Sequence, residues 1–215
     1  MLDVFALPSW ASSHGLRWDP QDPTTQVRAP LHIVTEKELG RMSQLTTANQ
    51  VLAVVEMPRA EEEYPAAIAG GWTLYLDGIQ SPSNLGALLR IADWFDFRHV
   101  IGGPGTADLY NSKSLQASMG SFLRVRYRTG ELADLRAAFP DLTVFGADLA
   151  GENIYGLRAP DRGVLVIGSE GPGIREGARS QVQRWLTIPR AGGSEAESLN
   201  AAVAAGILCG GLRNV

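Results

Sequence analysis

The chain has 215 residues, 45% hydrophobic and 20% charged, which allows one large domain or two small ones and excludes wholesale disorder. The formal net charge of −4 argues against a broad basic face for nucleic acid, so any such contact must be local or shared between subunits. With one cysteine, no signal-peptide pattern and no apolar run that could span a bilayer, we expect a cytoplasmic protein without disulfides, cysteine-based zinc sites or a membrane partner.

Residues 1–58 predict a small unit with strands around Leu31–Val34 and Val51–Met57 and a helix near Glu36–Ser43. It is too small to be a comfortable independent domain. The composition then shifts over Pro58–Gly71, which combines an acidic cluster, two prolines and paired glycines. This is typical of a solvated linker, which we assign to residues 59–71.

Residues 72–215 alternate short apolar strands with helices. The predicted strands are Trp72–Ile79, His99–Gly103, Phe122–Arg128, Leu142–Leu149, Gly163–Ser169 and Arg184–Pro189. The first predicted helix follows the first strand and ends near Phe95. The other predicted helices are Ser112–Met119, Glu131–Phe139 and Ser198–Gly210. This alternation predicts an α/β fold with a mainly parallel sheet. Four polar, glycine-rich segments follow strands, and we expect them to converge beyond the carboxyl ends of the sheet: "QSPSN", "GGPG", "GSEGPG" and "RAGGSEAES".

The first helix has one apolar face, formed by Leu85, Leu88, Leu89, Ala92 and Phe95. Its N-terminus can be capped by Ser81, Ser83 or Asn84, so Asn84 is either a plain cap or a functional residue. Arg90 lies on the same side as Gly86, which leaves room for a ligand or another chain. The alternative for Arg90 is a surface salt bridge with Asp93.

The second segment, "VIGSEGPGI", leads an apolar strand into three glycines around Glu170. Glycines allow a sharp turn and a close approach to a ligand. The segment lacks the spacing of the dinucleotide fingerprint and the Gly-Lys-Ser/Thr of a P-loop. A tight turn with a solvated Glu170 remains the plain alternative.

The third segment, "ESLNAAVAAGILCGG", predicts a helix with Ser198 as its N-cap and Asn200 just inside it. The helix is apolar all round and is expected to be buried, with Cys209 as a packing residue. Its many small residues suggest close contact with another backbone or a symmetry-related helix. Asn200 needs a partner for its amide there.

Together and in this order, the three segments resemble the SpoU (TrmH-like) branch of the SPOUT RNA methyltransferases. "NLGALLR" matches the family's Asn and the Arg six residues later, "GSEGPG" its Gly-x-Glu-Gly loop, and "IPRAGG" with "ESLN" its third motif. "LYNSKSLQASMGSFLRV" is a further family-like stretch. The likeness extends over Trp72 to Val215.

The resemblance implies a mainly parallel sheet with helices on both faces, a C-terminal trefoil knot and a homodimer. It implies that S-adenosylmethionine binds in the knot at Gly168, Ile188 and Leu199, with Glu170 and Gly171 in the same loops. It also implies methylation of a ribose 2′-hydroxyl in tRNA or rRNA. The catalytic positions carried over are Arg90, Asn84, Ser198 and Asn200.

For Arg90 we prefer a bidentate grip on a phosphate over a role as general base, because arginine normally stays protonated. Asn84 would orient Arg90 or the ribose, and Ser198 and Asn200 would order the third loop and the substrate pocket. Arg124, Arg126 and Arg128 alternate along one predicted strand, where phosphate contact and a solvated edge are equally open.

The sequence departs from the family at Arg190, where Met is common, and in a third loop about two residues longer. The region before the linker resembles only the later part of a ribosomal-protein-like RNA-binding domain, without its opening strand and helix. A catalytically weak or inactive RNA-binding protein of the same fold is therefore the alternative. A dehydrogenase is disfavoured because the dinucleotide fingerprint is absent.

Overall fold

The computed structural model describes residues 2–15, 29–45, 47–58, 64–193 and 195–213. The chain divides into two compact units, Met1–Ala60 and Glu61–Val215. The acidic cluster Glu61–Glu63 of the predicted linker lies outside the described residues. Within these ranges, none of the helices combines the length and the apolar character that a membrane span requires.

The N-terminal unit is a three-stranded sheet with two short helices. Its elements are β1 (Asp3–Ala6), α1 (Pro8–Ser13), β2 (Leu31–Ile33), α2 (Glu36–Met42) and β3 (Val51–Val54). The central strand β1 is parallel to β2 and antiparallel to β3. The predicted strands and helix near β2, α2 and β3 are confirmed, and the start of α2 is fixed by a capping box between Thr35 and Glu38. β1 and α1 were not predicted from the sequence.

The C-terminal unit is built on a six-stranded sheet with the order β6-β5-β4-β8-β7-β9. Its strands are β4 (Trp72–Asp77), β5 (His99–Gly102), β6 (Arg126–Thr129), β7 (Val144–Asn153), β8 (Gly163–Gly168) and β9 (Arg184–Thr187). Its helices are α3 (Pro82–Trp94), α4 (Ser112–Ser118), α5 (Leu132–Ala138), α6 (Glu176–Arg179) and α7 (Ala201–Arg213). All five strand pairs are parallel, which confirms the α/β fold with a mainly parallel sheet.

Helices cover both faces of this sheet. Successive side chains of a strand point to opposite faces, and the apolar side chains on each face pack against helices. Leu74 and Leu76 of β4 pack in one apolar cluster with residues of α3 and α7, whereas Tyr75 packs in a second cluster with residues of α5 and α6. β4 is buried along its whole length. The central strands are therefore fixed from both sides, and the loops that leave their carboxyl ends start from rigid positions.

The C-terminal helix α7 is buried on one face, not all round as its sequence predicted. The buried positions recur at helical spacing: Ala201, Ala202, Ala205, Leu208, Cys209 and Leu212. Val203 on the other side remains 51% exposed. A Cβ added at Gly206 would stand at an ordinary contact distance of 3.8 Å from Ile91 of α3, so the packing of these two helices does not require a glycine there. Cys209 is a packing residue as expected, and its burial raises the pKa of the thiol.

Gly86 does not leave room for a ligand, contrary to its sequence interpretation. A Cβ at this position would overlap Ser114, Ala117 and Ser118 of α4. The missing side chain therefore allows α3 and α4 to pack closely.

The three alternating arginines do not share one strand face. β6 begins only at Arg126, because Ser121–Leu123 form a short 3-10 turn and Arg124 lies at its end. Arg124 pairs with Asp93 at 2.6 Å, and the guanidinium of Arg128 lies 4.0 Å above the ring of Tyr64. Arg124 and Arg128 thus form contacts within the protein.

Candidate active site

Three of the four polar segments converge beyond the carboxyl ends of strands of the same sheet. The first, second and third loops follow β4, β8 and β9, and they carry Asn84, Glu170 and Asn200. The fourth segment, after β5, instead supports the turn between β4 and α3. There, the amide of Gly103 and the hydroxyl of Thr106 donate to the carbonyl of Leu76 at 2.8 and 2.9 Å.

The side chains of Asn84, Glu170 and Asn200 form one hydrogen-bonded cluster. Oε1 of Glu170 accepts from Nδ2 of Asn84 at 2.9 Å and from Nδ2 of Asn200 at 2.6 Å. Nδ2 of Asn200 also lies 3.3 Å from Oδ1 of Asn84, its acceptor there. A carboxylate that accepts from two amides forms charge-assisted hydrogen bonds, so Glu170 ties the three loops together. Glu170 is exposed, but it is not the merely solvated carboxylate of the plain alternative.

Asn84 is not the cap of α3. Ser81 occupies that position, and its hydroxyl accepts from the amide of Asn84 at 3.3 Å, with Pro82 at the first helical position. Asn84 therefore stands in the first turn with its side chain free to reach Glu170. The interpretation of Asn84 as a plain N-cap is wrong.

Asn200, not Ser198, caps α7. Its Oδ1 accepts from the backbone amides of Ala202 at 2.9 Å and Val203 at 3.3 Å. Its Nδ2 donates to Glu170 and Asn84. Both ends of one amide group are thus in use, which gives Asn200 the partners that its sequence position required. Ser198 is exposed and lies two residues before the cap. It is close to this cluster in the sequence but is not one of the side chains that form it.

Arg90 is exposed, and among the residues that the structure describes its guanidinium forms no hydrogen bond or ion pair. The proposed salt bridge with Asp93 is wrong because Asp93 has other partners. Arg124 and the hydroxyl of Ser121 donate to its Oδ2 at 2.8 and 2.7 Å. The hydrogen bond from Arg124 is the main reason that the pKa of Asp93 is lowered. Arg90 stands about 9 Å further along α3 than Asn84, from the rise of the helix.

The second loop is a tight turn closed on itself. The amides and carbonyls of Ser169 and Gly173 are paired in both directions at 3.1 Å. Gly171 and Gly173 have φ of 91° and 70°, which favours glycine there. A Cβ at Gly168 would overlap the backbone of Gly173 and Ile174. These constraints present Glu170 and Gly171 at the tip of the loop.

An ion pair between a buried aspartate and a partly exposed arginine anchors this loop to the sheet, and sequence reasoning missed it. Asp77, the last residue of β4, is fully buried and accepts from the backbone amide, Nε and Nη2 of Arg175 at 2.6, 2.9 and 2.5 Å. These hydrogen bonds raise the pKa of Arg175. The available signal was an aspartate inside an apolar strand, which requires a cationic or hydrogen-bonding partner.

The third loop joins two of the predicted cofactor residues. Ile188 is half-buried against the main apolar cluster, whereas Leu199 is 47% exposed at the far end. Between them, Nη1 of Arg190 donates to the carbonyl of Ala196 at 2.7 Å. Gly168, Glu170 and Gly171 thus lie at the second loop and Ile188 and Leu199 at the two ends of the third, and the bond between Asn200 and Glu170 joins the two loops.

Comparison with known proteins gives consistent matches. Residues 71–210 match the model of the SpoU rRNA Methylase family. The chain is 31% identical over 199 residues to the 23S rRNA (guanosine(2553)-2′-O)-methyltransferase RlmP of Bacillus subtilis, covering 90% of this chain and 76% of that protein. It covers only 55% to 60% of the length of several further curated relatives.

Two solved structures have the same fold. One is a putative RNA methyltransferase of the TrmH family from Porphyromonas gingivalis, with 34% identity, a TM-score of 0.83, and coverage of 99% of this chain and 82% of that one. The other is the SpoU methyltransferase AviRb from Streptomyces viridochromogenes in complex with AdoMet, with 25% identity and a TM-score of 0.80. It covers 99% of this chain and 81% of the AviRb chain.

Proposed function

Because the chain belongs to the SpoU rRNA methylase family, we propose that it is an S-adenosylmethionine-dependent methyltransferase acting on a ribose 2′-hydroxyl of ribosomal RNA. The observation that carries this proposal is the hydrogen-bonded cluster of Asn84, Glu170 and Asn200, with the exposed Arg90 on the same helix as Asn84. The sequence left tRNA and rRNA open. The Bacillus relative is named for 23S rRNA, which favours rRNA.

The second and third loops fit S-adenosylmethionine. The turn around Gly168 to Gly173 exposes backbone at its tip, where a Cβ at Gly171 would meet nothing within 4 Å. Ile188 and Leu199 offer apolar side chains at the two ends of the third loop, which suits an adenosine group. Glu170 would fix the position of the second loop relative to the third through its hydrogen bond with Asn200, and it would take no part in the chemical step. The cofactor supplies a methyl group on a sulfonium and needs no metal.

We assign to Arg90 the task of gripping a phosphate next to the target ribose. Its guanidinium fork matches phosphate oxygens, and arginine stays protonated at neutral pH, so it suits a cationic clamp better than a base. Held this way, the 2′-oxygen is aligned to bond to the methyl carbon as the carbon–sulfur bond breaks and S-adenosylhomocysteine leaves. The hydroxyl proton passes to solvent, and the guanidinium stabilises the negative charge that develops on the oxygen as this proton departs. Asn84 and Asn200 would fix the loops around that site, with exposed Ser198 available to the substrate.

The C-terminal trefoil knot is part of this proposal. The order of the strands supports it, because the chain leaves edge strand β9 and returns with α7 against α3 and the main apolar cluster. Residues 1–58 would assist RNA capture, with 59–71 as the linker to the methyltransferase domain at 72–215.

A homodimer that completes the active site is proposed as well. Trp94 on α3 is 82% exposed and Val203 on α7 is 51% exposed, and an unpartnered apolar surface on packed helices suits a second copy. Sedimentation should give twice the mass of 23.1 kDa. Val203→Glu should lower that mass, whereas Leu149→Glu on β7, also exposed, should not. A wild-type monomer that transfers methyl groups would remove this part of the proposal.

The main experiment is a tritiated-methyl transfer assay on rRNA and on total tRNA, followed by mapping of the labelled nucleoside. We expect 2′-O-methyl label in rRNA. Label confined to tRNA would contradict the substrate and keep the chemistry. Cofactor binding without transfer to either RNA would favour an inactive RNA-binding protein of this fold.

A further inference from the structure

The third loop has little of its own to hold it in place. Every described residue from Pro189 to Asn200 is exposed, and these described residues form no helix or strand. A loop that buries no apolar surface must be ordered by polar contacts, or it samples many conformations. Its C-terminal end is fixed by Asn200, which bonds to Glu170 and Asn84.

Arg190 closes the other part of this loop. Its Nη1 donates to the carbonyl of Ala196 at 2.7 Å and so joins two residues six positions apart. The acceptor lies between Glu195 and Glu197 in the sequence, so the segment that receives the cation carries two negative charges. The charge of the guanidinium therefore complements the segment to which it binds.

We propose that Arg190 is a positioning residue that holds the third loop in the conformation that receives S-adenosylmethionine. The inference rests on the proposed function, since Ile188 and Leu199 are cofactor residues only in that proposal. Arg190 lies two residues after Ile188, and the segment it closes leads directly to Leu199 and Asn200. Without the contact to Ala196, the loop is fixed only at its two ends, at Ile188 and at Asn200, and the stretch between them that leads to Leu199 loses its set position.

Arg190→Ala and Arg190→Lys test this role, with Arg162→Ala as the matched control. Nη1 of Arg162 also donates to a backbone carbonyl, that of Ala69 at 3.0 Å, and both arginines are exposed. The first measurement is cleavage of the full chain, without cofactor, by a protease that cuts after glutamate. Glu195 and Glu197 lie inside the loop, so their cleavage rates report its opening, and the Arg190 variants leave both cleavage sites intact.

The second measurement is the Kd for S-adenosylmethionine by calorimetry. Arg190→Ala should raise the cleavage rates at Glu195 and Glu197 and the Kd by about fivefold each, as expected for one exposed hydrogen bond to a charged group. Arg190→Lys keeps the charge without the fork and should fall between Arg190→Ala and the wild type. Arg162→Ala should change neither quantity.

Unchanged cleavage at Glu195 and Glu197 in Arg190→Ala overturns the proposal, and so does an equal change in Arg162→Ala. Faster cleavage with an unchanged Kd overturns it too, because the loop would then open without consequence for the cofactor. A wild-type chain that binds no S-adenosylmethionine contradicts the proposed function instead. In that case the cleavage rates still decide whether Arg190 closes the loop.

Discussion

Asn84 and Glu170 lie 86 residues apart in the chain, and their side chains meet at 2.9 Å. This hydrogen bond joins the first turn of α3 to the tip of the loop after β8. Asn200 shares the same carboxylate oxygen at 2.6 Å. One carboxylate therefore fixes the relative positions of the three loops that carry the candidate active site.

Removing this carboxylate should impair catalysis more than folding. Glu170→Ala eliminates two charge-assisted hydrogen bonds at an exposed site, so we expect kcat/KM for methyl transfer to fall at least about tenfold. Glu170→Gln keeps one acceptor oxygen and should fall less. The assay compares both with Glu176→Gln, an exposed glutamate at the start of α6. Equal activity of Glu170→Ala and the wild type would contradict a role for the cluster.

Arg90→Ala should reduce methyl transfer by about a hundredfold or more, because it removes the group that we propose positions the phosphate and stabilises developing charge. Calorimetry should give a nearly unchanged Kd for S-adenosylmethionine, since Arg90 lies on α3 and the proposed cofactor residues lie on the other two loops. Arg90→Lys keeps the charge without the fork and should recover part of the activity.

The control for Arg90 is Arg158→Ala, another exposed arginine, which should transfer methyl groups at the wild-type rate. The pH profile separates the two roles of Arg90. A clamp that stays protonated leaves the profile of Arg90→Lys parallel to that of the wild type. A change in its shape would instead favour a general base.

The sequence predicts the elements around the site well and their contacts poorly. Asn84, Glu170 and Asn200 stand out because polar residues in glycine-rich loops after parallel strands converge at one edge of a sheet. Their mutual hydrogen bonds depend on the tertiary arrangement, as does the pairing of Asp77 with Arg175, 98 residues away.

Caps and short elements are the other part that the sequence leaves open. Ser81 and Asn84 both suit the N-terminus of α3, as Ser198 and Asn200 do for α7, and only the backbone geometry decides which side chain accepts from the first turn. The salt bridge between Arg90 and Asp93 agreed with helical spacing, but the sequence could not reveal that Arg124, 31 residues away, would take the carboxylate.

Arg175→Ala should destabilise the protein, because it leaves the buried carboxylate of Asp77 without its cation. We expect the free energy of unfolding to fall by about 3 kcal/mol. This value is at the low end for breaking a buried ion pair, because the side chain of Arg175 is 42% exposed. The double variant Asp77→Asn with Arg175→Ala should lose less free energy of unfolding than Arg175→Ala alone, because a neutral amide replaces the unpaired carboxylate.

Urea denaturation measures these differences. Arg98→Ala removes an exposed ion pair with Asp96 and should leave the unfolding midpoint nearly unchanged. A midpoint for Arg175→Ala as high as that of Arg98→Ala would show that the second loop does not depend on Asp77.

Arg124→Ala should lower activity although Arg124 lies away from the proposed site. Asp93 stands three residues after Arg90 on α3, and its carboxylate is now occupied by Arg124 and Ser121. Once Arg124 is removed, Asp93 is free to pair with Arg90 and withdraw it from the substrate, which at this spacing should reduce kcat/KM about twofold. Adding Asp93→Asn to Arg124→Ala should restore the wild-type value, and high salt should also diminish the loss by screening the new pair. If the double variant stays as impaired as Arg124→Ala, the loss arises from a disturbed α3 rather than from capture of Arg90.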